Sequence, residues 1–275
     1  IRNGLMKNGS VMIHEHCTVR VLSEAVTGDE TQFSLYPEYV VKKLIVGDLV
    51  SVDFDSVLLQ VINTEGNAAI LRVLNGGKIG QNKAVTVEKP ITMPPLTEKD
   101  RIAVKIGREI GIKHFALSFA NYAEDVDLIR SLAGEDTFII SKIECRNGVT
   151  NLKEIAQKSD AILIDRGDLS RDFPIERIPS LQKRIVAQSK LCRTEVYVAT
   201  NLLETMVNSS TPTRAEVNDV YTTLERGADG LVLAAETAIG IYPIACTSMI
   251  VKLMKSFDAD QKVEGGEYCD DPESL

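Results

Sequence analysis

Two short apolar runs, residues 138–144 and 161–168, each break off in charge. The first reads Phe-Ile-Ile-Ser-Lys-Ile-Glu and the second Ala-Ile-Leu-Ile-Asp-Arg-Gly-Asp. Between them Val149, Leu152, Ile155 and Ala156 recur at helical spacing, which predicts a helix over 148–159. Apolar runs of this kind suit strands buried on both faces, and such strands are parallel ones joined by crossover helices. The stretch therefore predicts a βαβ unit. Ligands of parallel sheets collect at the carboxyl ends of the strands. Those ends carry Lys142, Glu144, Arg166 and Asp168. Two carboxylates and an ammonium at one mouth suit a divalent cation and an anionic substrate. Magnesium takes one or two protein carboxylates and fills its other positions with water and substrate oxygens. The same side chains would also serve as plain ion pairs where strands leave the core.

The rest of the chain divides in two. Residues 8–92 are β-rich, with runs at 48–53, 56–62 and 68–74 and the turn Asn75-Gly-Gly. Such short strands between Gly and Asn punctuation predict a small barrel or sandwich. Within it His14, His16 and Cys17 lack a second ligand cluster and read as a solvated strand face. From Pro94 strands and helices alternate. Helices are expected at 97–110, 124–132, 178–191, from Arg214, and from Pro243 to about 257. Strands are expected at 113–119, 138–144, 161–166, 195–200 and 230–235. Thr97 and Thr213 are placed to cap, with Asp100 and Glu216 three residues on. Residues 258–275 are acidic and weakly apolar and read as a disordered tail.

A net charge of −8 argues against a nucleic-acid partner. No run of 18 apolar residues exists, so no membrane span is expected. Five scattered cysteines, Cys17, Cys145, Cys192, Cys246 and Cys269, read as reduced thiols. An intracellular place, cytoplasm or organelle stroma, is expected.

Ser-Lys-Ile-Glu at 141–144 followed by Arg-Gly-Asp-Leu at 166–169 resembles the pyruvate kinase family. The likeness continues through Pro-Pro-Leu-Thr-Glu-Lys-Asp at 94–100, Ala-Leu-Ser-Phe at 116–119 and Val-Ala-Thr-Asn-Leu-Leu-Glu-Thr-Met at 198–206. It includes Pro-Thr-Arg-Ala-Glu at 212–216, Ala-Asp-Gly-Leu-Val-Leu at 228–233, Glu236-Thr237 and Tyr242-Pro243. The resemblance implies an α/β fold: a (β/α)8 TIM-type barrel of the phosphoenolpyruvate/pyruvate type with an inserted all-β lid. Residues 1–7 would end barrel strand three, 8–92 would form the lid, and 93–257 would supply strands four to eight. The first three βα units and the C-terminal regulatory domain would lie outside this chain. Those upstream units would carry the family's phosphate-binding arginine and most ADP contacts. An open barrel edge implies a homo-oligomer or a larger assembly that covers it.

The implied reaction moves a phosphoryl group from phosphoenolpyruvate to ADP, giving pyruvate and ATP. By resemblance Glu144 and Asp168 hold Mg2+ or Mn2+, with K+ as a further cation. Lys142 neutralises the phosphoryl group and enolate oxygen in flight. Gly167 offers its N–H to the substrate carboxylate, and Thr200 contacts substrate and aids protonation. Ser118 and Lys83 lie near the phosphate. Arg166 reads as a structural ion-pair residue. Several positions depart from the family pattern: Phe54, Asn82, Cys145, Asp165, Ser170, Ala234 and Ala235, with Ile239 and Ile241. Asp165 stands where the family has a small residue. Two other readings stay open: a catalytically degenerate homologue with a structural or regulatory role, and a metal-dependent pyruvate lyase or aldolase.

Overall fold

The computed structural model describes residues 1–53, 56–89 and 91–264. The chain folds as two compact units, Ile1–Met93 and Pro94–Leu275.

The first unit is a β domain. Its strands are β1 (Arg2–Asn3), β2 (Ser10–Ile13), β3 (Thr18–Leu22), β4 (Gln32–Tyr36), β5 (Leu49–Val52), β6 (Val57–Thr64), β7 (Ala68–Asn75), β8 (Gly77–Gly80) and β9 (Val85–Val87). Seven form one sheet in the order β1-β4-β3-β7-β6-β5-β9, while β2 and β8 pair separately. Alternation in β6 buries Val57, Leu59 and Val61, and β7 buries Leu71 and Val73. These meet Phe33, Val19 and Val21 in one apolar core. Residues 1–7, expected to end a barrel strand, belong here instead. Arg2 and Asn3 pair with Tyr36 and Leu35, and Met6 sits in the β-domain core. Ladder hydrogen bonds and that buried thioether place the segment. His14, His16 and Cys17 lie in the exposed turn between β2 and β3 rather than on a strand.

The second unit repeats strand and helix. Its strands are β10 (His114–Leu117), β11 (Phe138–Ile143), β12 (Ala161–Asp165), β13 (Glu195–Ala199) and β14 (Gly230–Val232). All five are parallel and lie in chain order, each beside the next. This is the repeating βα unit of a (β/α) barrel, with β10 and β14 as edges among the described residues. The helices are α1 (Glu98–Glu109), α2 (Ala123–Ala133), α3 (Arg146–Thr150), α4 (Leu152–Lys158), α5 (Arg166–Asp172), α6 (Ile178–Leu191), α7 (Arg214–Glu225), α8 (Ala235–Ala238) and α9 (Pro243–Glu264). Strand β12 is buried at every residue. Its Ile162 and Ile164 pack with Ile139, Ile143, Ile155, Ile185, Val196 and Val198.

Further expectations change. The strand expected at 230–235 ends at Val232, and Ala235 opens α8 instead. The helix expected at 148–159 is two helices, α3 and α4, which meet at Asn151. The Asn151 side-chain amide donates to the carbonyl of Asn121, so the junction is tied to the loop after β10. Helix α5 was not foreseen; Asp165 caps it by accepting from the Asp168 N–H. Residues 258–264, expected in a disordered tail, continue α9, where Tyr221 of α7 donates to Asp260. Residues 265–275, with Cys269, lie outside the described residues, as does Phe54.

Both capping boxes form. Thr213 accepts from the Glu216 N–H, and Glu216 accepts from the Thr213 N–H at 2.7 Å. Glu216 also accepts from the Thr205 N–H, joining α7 to the loop after β13. Burial alone would raise this carboxyl, but the N–H groups of Thr205 and Thr213 outweigh it and hold it below 4.5. A lowered value adds stability that is complete above pH 4.5 and is lost as pH falls through the folded value. Urea midpoints should therefore fall more for the parent than for Glu216→Gln on acidification below pH 4.5. Equal acid sensitivity would remove Glu216 from the pH response.

Candidate cation and anion site at the strand tips

Parallel register builds the site. Lys142 pairs with Leu163 and Ile143 with Ile164, so one step further Glu144 lies beside Asp165. Asp165 pairs with Ala199, so Thr200 stands one step beyond, level with Arg166. Period two places Lys142 and Glu144 on one face of β11. Ser118 follows the last residue of β10 and is exposed.

Glu144 is only 2% exposed. Its Oε1 accepts from Lys142 Nζ at 2.5 Å, and Oε2 accepts from the Phe119 N–H. Phe119 holds a left-handed backbone with φ of 51°. Lys142 Nζ also lies 3.3 Å from Asp165 Oδ2. Asp168 follows in the first turn of α5, where its N–H meets Asp165 Oδ1 at 3.3 Å and its Oδ1 accepts from Arg171 at 3.0 Å. One oxygen from each of Glu144, Asp165 and Asp168 lies within 4.8 Å of the others. Among the described residues this is the only such group of three. Burial would lower Lys142, but Glu144 and Asp165 outweigh it and hold the ammonium above its ordinary value. Burial dominates at Glu144 and pushes its carboxyl up against the pull of Lys142, with the Asp168 charge adding to the rise.

Thr200 and Asn201 both hold left-handed backbones, φ 69° and 53°. For a β-branched residue that conformation is costly and persists only where neighbours impose it. Arg166 imposes it here: Nε and Nη2 both donate to the Thr200 carbonyl, at 3.0 and 2.6 Å. Arg166 Nη1 also binds Asp219 of α7 at 2.6 Å. The structural reading of Arg166 agrees with these contacts. Thr200 Oγ1 in turn accepts from the Gly167 N–H at 2.9 Å. The Gly167 N–H, expected to face a substrate carboxylate, is thus engaged within the chain. A methyl at Gly167 would lie 3.5 Å from Asp165 Oδ1 and 3.7 Å from Thr200, ordinary contact distances. The folded chain itself does not demand glycine there.

The structure brings Lys142, Glu144, Gly167, Asp168 and Thr200 together. It adds Asp165, which the sequence marked only as a departure, and the Phe119 N–H, which side-chain reasoning could not find. The register between β11 and β12 was the available signal for Asp165. Lys83 belongs to the β domain and pairs with Asp53 at 3.2 Å. Cys145 precedes α3, donates to Asn121 Oδ1, and has its thiol pushed up by burial. Glu236, behind Ala234 and Ala235, is buried and accepts from the N–H groups of Leu203 and Ala234.

The donor set is all oxygen, which suits a hard divalent cation. Three carboxylates against the Lys142 ammonium and the Arg171 guanidinium leave the mouth negative, and an ammonium already seated between Glu144 and Asp165 marks a cation-favouring position. These residues fit a magnesium or manganese ion.

Residues 1–247 match the family model described as pyruvate kinase, barrel domain. Pyruvate kinase of Thermotoga maritima is 34% identical over 269 residues, covering 96% of this chain and 57% of that protein. That of Aeropyrum pernix is 38% identical over 212 residues, 75% of this chain and 46% of the relative. That of Mycobacterium tuberculosis is 33% identical over 258 residues, 92% and 55%. The chain spans about half the length of these curated relatives. Its α/β architecture is that of a partial (β/α) barrel with an inserted β domain. No helix among the described residues is long and apolar enough to cross a membrane. The chain belongs to the pyruvate kinase family.

Proposed function

We propose that this chain supplies the cation and enol-phosphate half of a phosphotransferase centre that moves a phosphoryl group from phosphoenolpyruvate to ADP, giving pyruvate and ATP. The observation that carries this reading is the convergence of Lys142, Glu144 and Asp168 at neighbouring strand tips. In this reading residues 94–264 act as barrel strands four to eight with their helices, and the β domain acts as the lid.

Glu144 and Asp168 would hold Mg2+ or Mn2+; when bound, the ion neutralises charge on substrate oxygens. Phosphoryl transfer is mostly positioning and charge neutralisation. Lys142 holds a fixed ammonium at the same mouth, aimed at charge that develops in transfer. Thr200 holds a hydroxyl proton beside Gly167 and hands it toward the enolate carbon. Gly167 keeps the floor of the site free of a side chain, so a carboxylate can approach its backbone. Ser118 stands beside the Lys142 level as a hydroxyl for the phosphate. Lys83 of the β domain is a further cation that this reading assigns to the phosphate. K+ is the monovalent ion in this reading.

One observation favours a second reading, a catalytically degenerate relative. Asp165 and Glu144 both hold Lys142, and Thr200 holds the Gly167 N–H, so two substrate-facing groups are engaged internally. A coupled pyruvate assay on the protein that carries this chain separates the two. Turnover that requires phosphoenolpyruvate, ADP, magnesium and potassium is the expected result. A folded protein that binds Mn2+ and forms no pyruvate would establish the second reading.

A further inference from the structure

We infer that Asp165 makes this mouth a three-carboxylate cradle and tightens its hold on a divalent cation. The inference rests on the cation site proposed above and extends it to a residue that no resemblance assigns.

Asp165 is 8% exposed. A carboxylate buried to that degree needs strong donors. Glu144 has them, with Lys142 at 2.5 Å and the Phe119 N–H. Asp165 does not. Its donors, the Asp168 N–H and Lys142 Nζ, both lie at 3.3 Å, and the Thr200 hydroxyl at 3.5 Å makes its short bond to the Ala199 carbonyl instead, at 2.6 Å. Charge-assisted bonds ordinarily close to about 2.7–2.9 Å. Asp165 is therefore a loosely compensated buried anion, and it faces the same space as Glu144 and Asp168. Its role as cap of α5 does not call for a carboxylate, because serine caps a helix about as well.

Register explains why this position is effective. β11 and β12 are in parallel register, so Glu144 and Asp165 stand side by side, and the cap at Asp165 turns α5 so that Asp168 follows. A cation between these three groups meets more fixed negative charge than two carboxylates supply. Lys142, shared between Glu144 and Asp165, yields these two carboxylates to an arriving ion while its ammonium stays at the mouth.

The test is Mn2+ binding to the chain, read from the loss of the free-ion electron paramagnetic resonance signal, without substrate. Asp165→Ser keeps the cap and removes the carboxylate. We expect binding weaker by about tenfold or more, the scale of losses from groups around a bound metal. Glu144→Gln should weaken binding at least as much. Near-parental affinity in Asp165→Ser beside a large loss in Glu144→Gln would overturn the inference and leave Asp165 a cap. A parent chain that binds no Mn2+ would overturn it together with the cation site. Asp165-dependent binding in a protein without pyruvate formation would uphold it while the phosphotransferase reading fails. Thermal melts of each variant exclude unfolding as the cause.

Discussion

Lys142→Met is expected to lower phosphoryl transfer by about 100- to 1000-fold, the scale of removing one preorganised charge-stabilising donor. Phosphoenolpyruvate affinity should change little, because the ammonium acts on charge that develops in transfer. The same change should destabilise the fold by about 3 kcal/mol, since it strips the short partner from a buried carboxylate. Glu144 would keep only the Phe119 N–H, and Asp165 would lose one of its two donors at 3.3 Å. Divalent ions bind the folded state alone, so Mn2+ should restore much of that stability. Turnover and thermal melts with and without Mn2+ read both effects. Unchanged turnover would remove Lys142 from the mechanism, and an unchanged melt would contradict its place as partner of Glu144.

Arg166→Met should cost about 2–4 kcal/mol by urea denaturation, as expected when a mostly buried, hydrogen-bonded cation is lost. Its guanidinium joins three elements: the start of α5, the end of β13 and the helix α7. Without it the Thr200 carbonyl loses two donors, and nothing equivalent holds the left-handed backbone that aims the Thr200 hydroxyl at Gly167. Arg166→Lys should recover only part of the loss, because one ammonium lacks the planar fork that reaches both the carbonyl and Asp219. A cost within about 0.5 kcal/mol of zero, the range of ordinary surface changes, would show that Arg166 does not brace the strand tips.

Much of this was legible in the sequence, and the reason is physical. β11 and β12 are mostly apolar runs that break off in an acid, Glu144 just after β11 and Asp165 at the end of β12, so type and direction were both written in them. Strand β12 shows this best: four apolar residues, then Asp165. Helices α1, α2 and α7 announced themselves by caps or by the glycine after α2. What escaped was set by tertiary contacts. Residues 1–7 carry no local pattern and take their place from pairing with β4. The break at Asn151 depends on a carbonyl thirty residues away. Asp165 read as a misplaced charge because its meaning lies in register with Glu144, which local pattern does not fix. The Gly167 N–H read as free because its partner Thr200 is thirty-three residues on.

The account stands on Glu144 and Asp168 sharing one ion. Anomalous diffraction from crystals of the chain grown with Mn2+ tests this most directly. The predicted result is one strong peak with a carboxylate oxygen of each residue at about 2.0–2.2 Å, the range for a small hard divalent ion. A peak elsewhere, or density that shows Lys142 still bridging Glu144 and Asp165 with no ion beside them at saturating Mn2+, would contradict it.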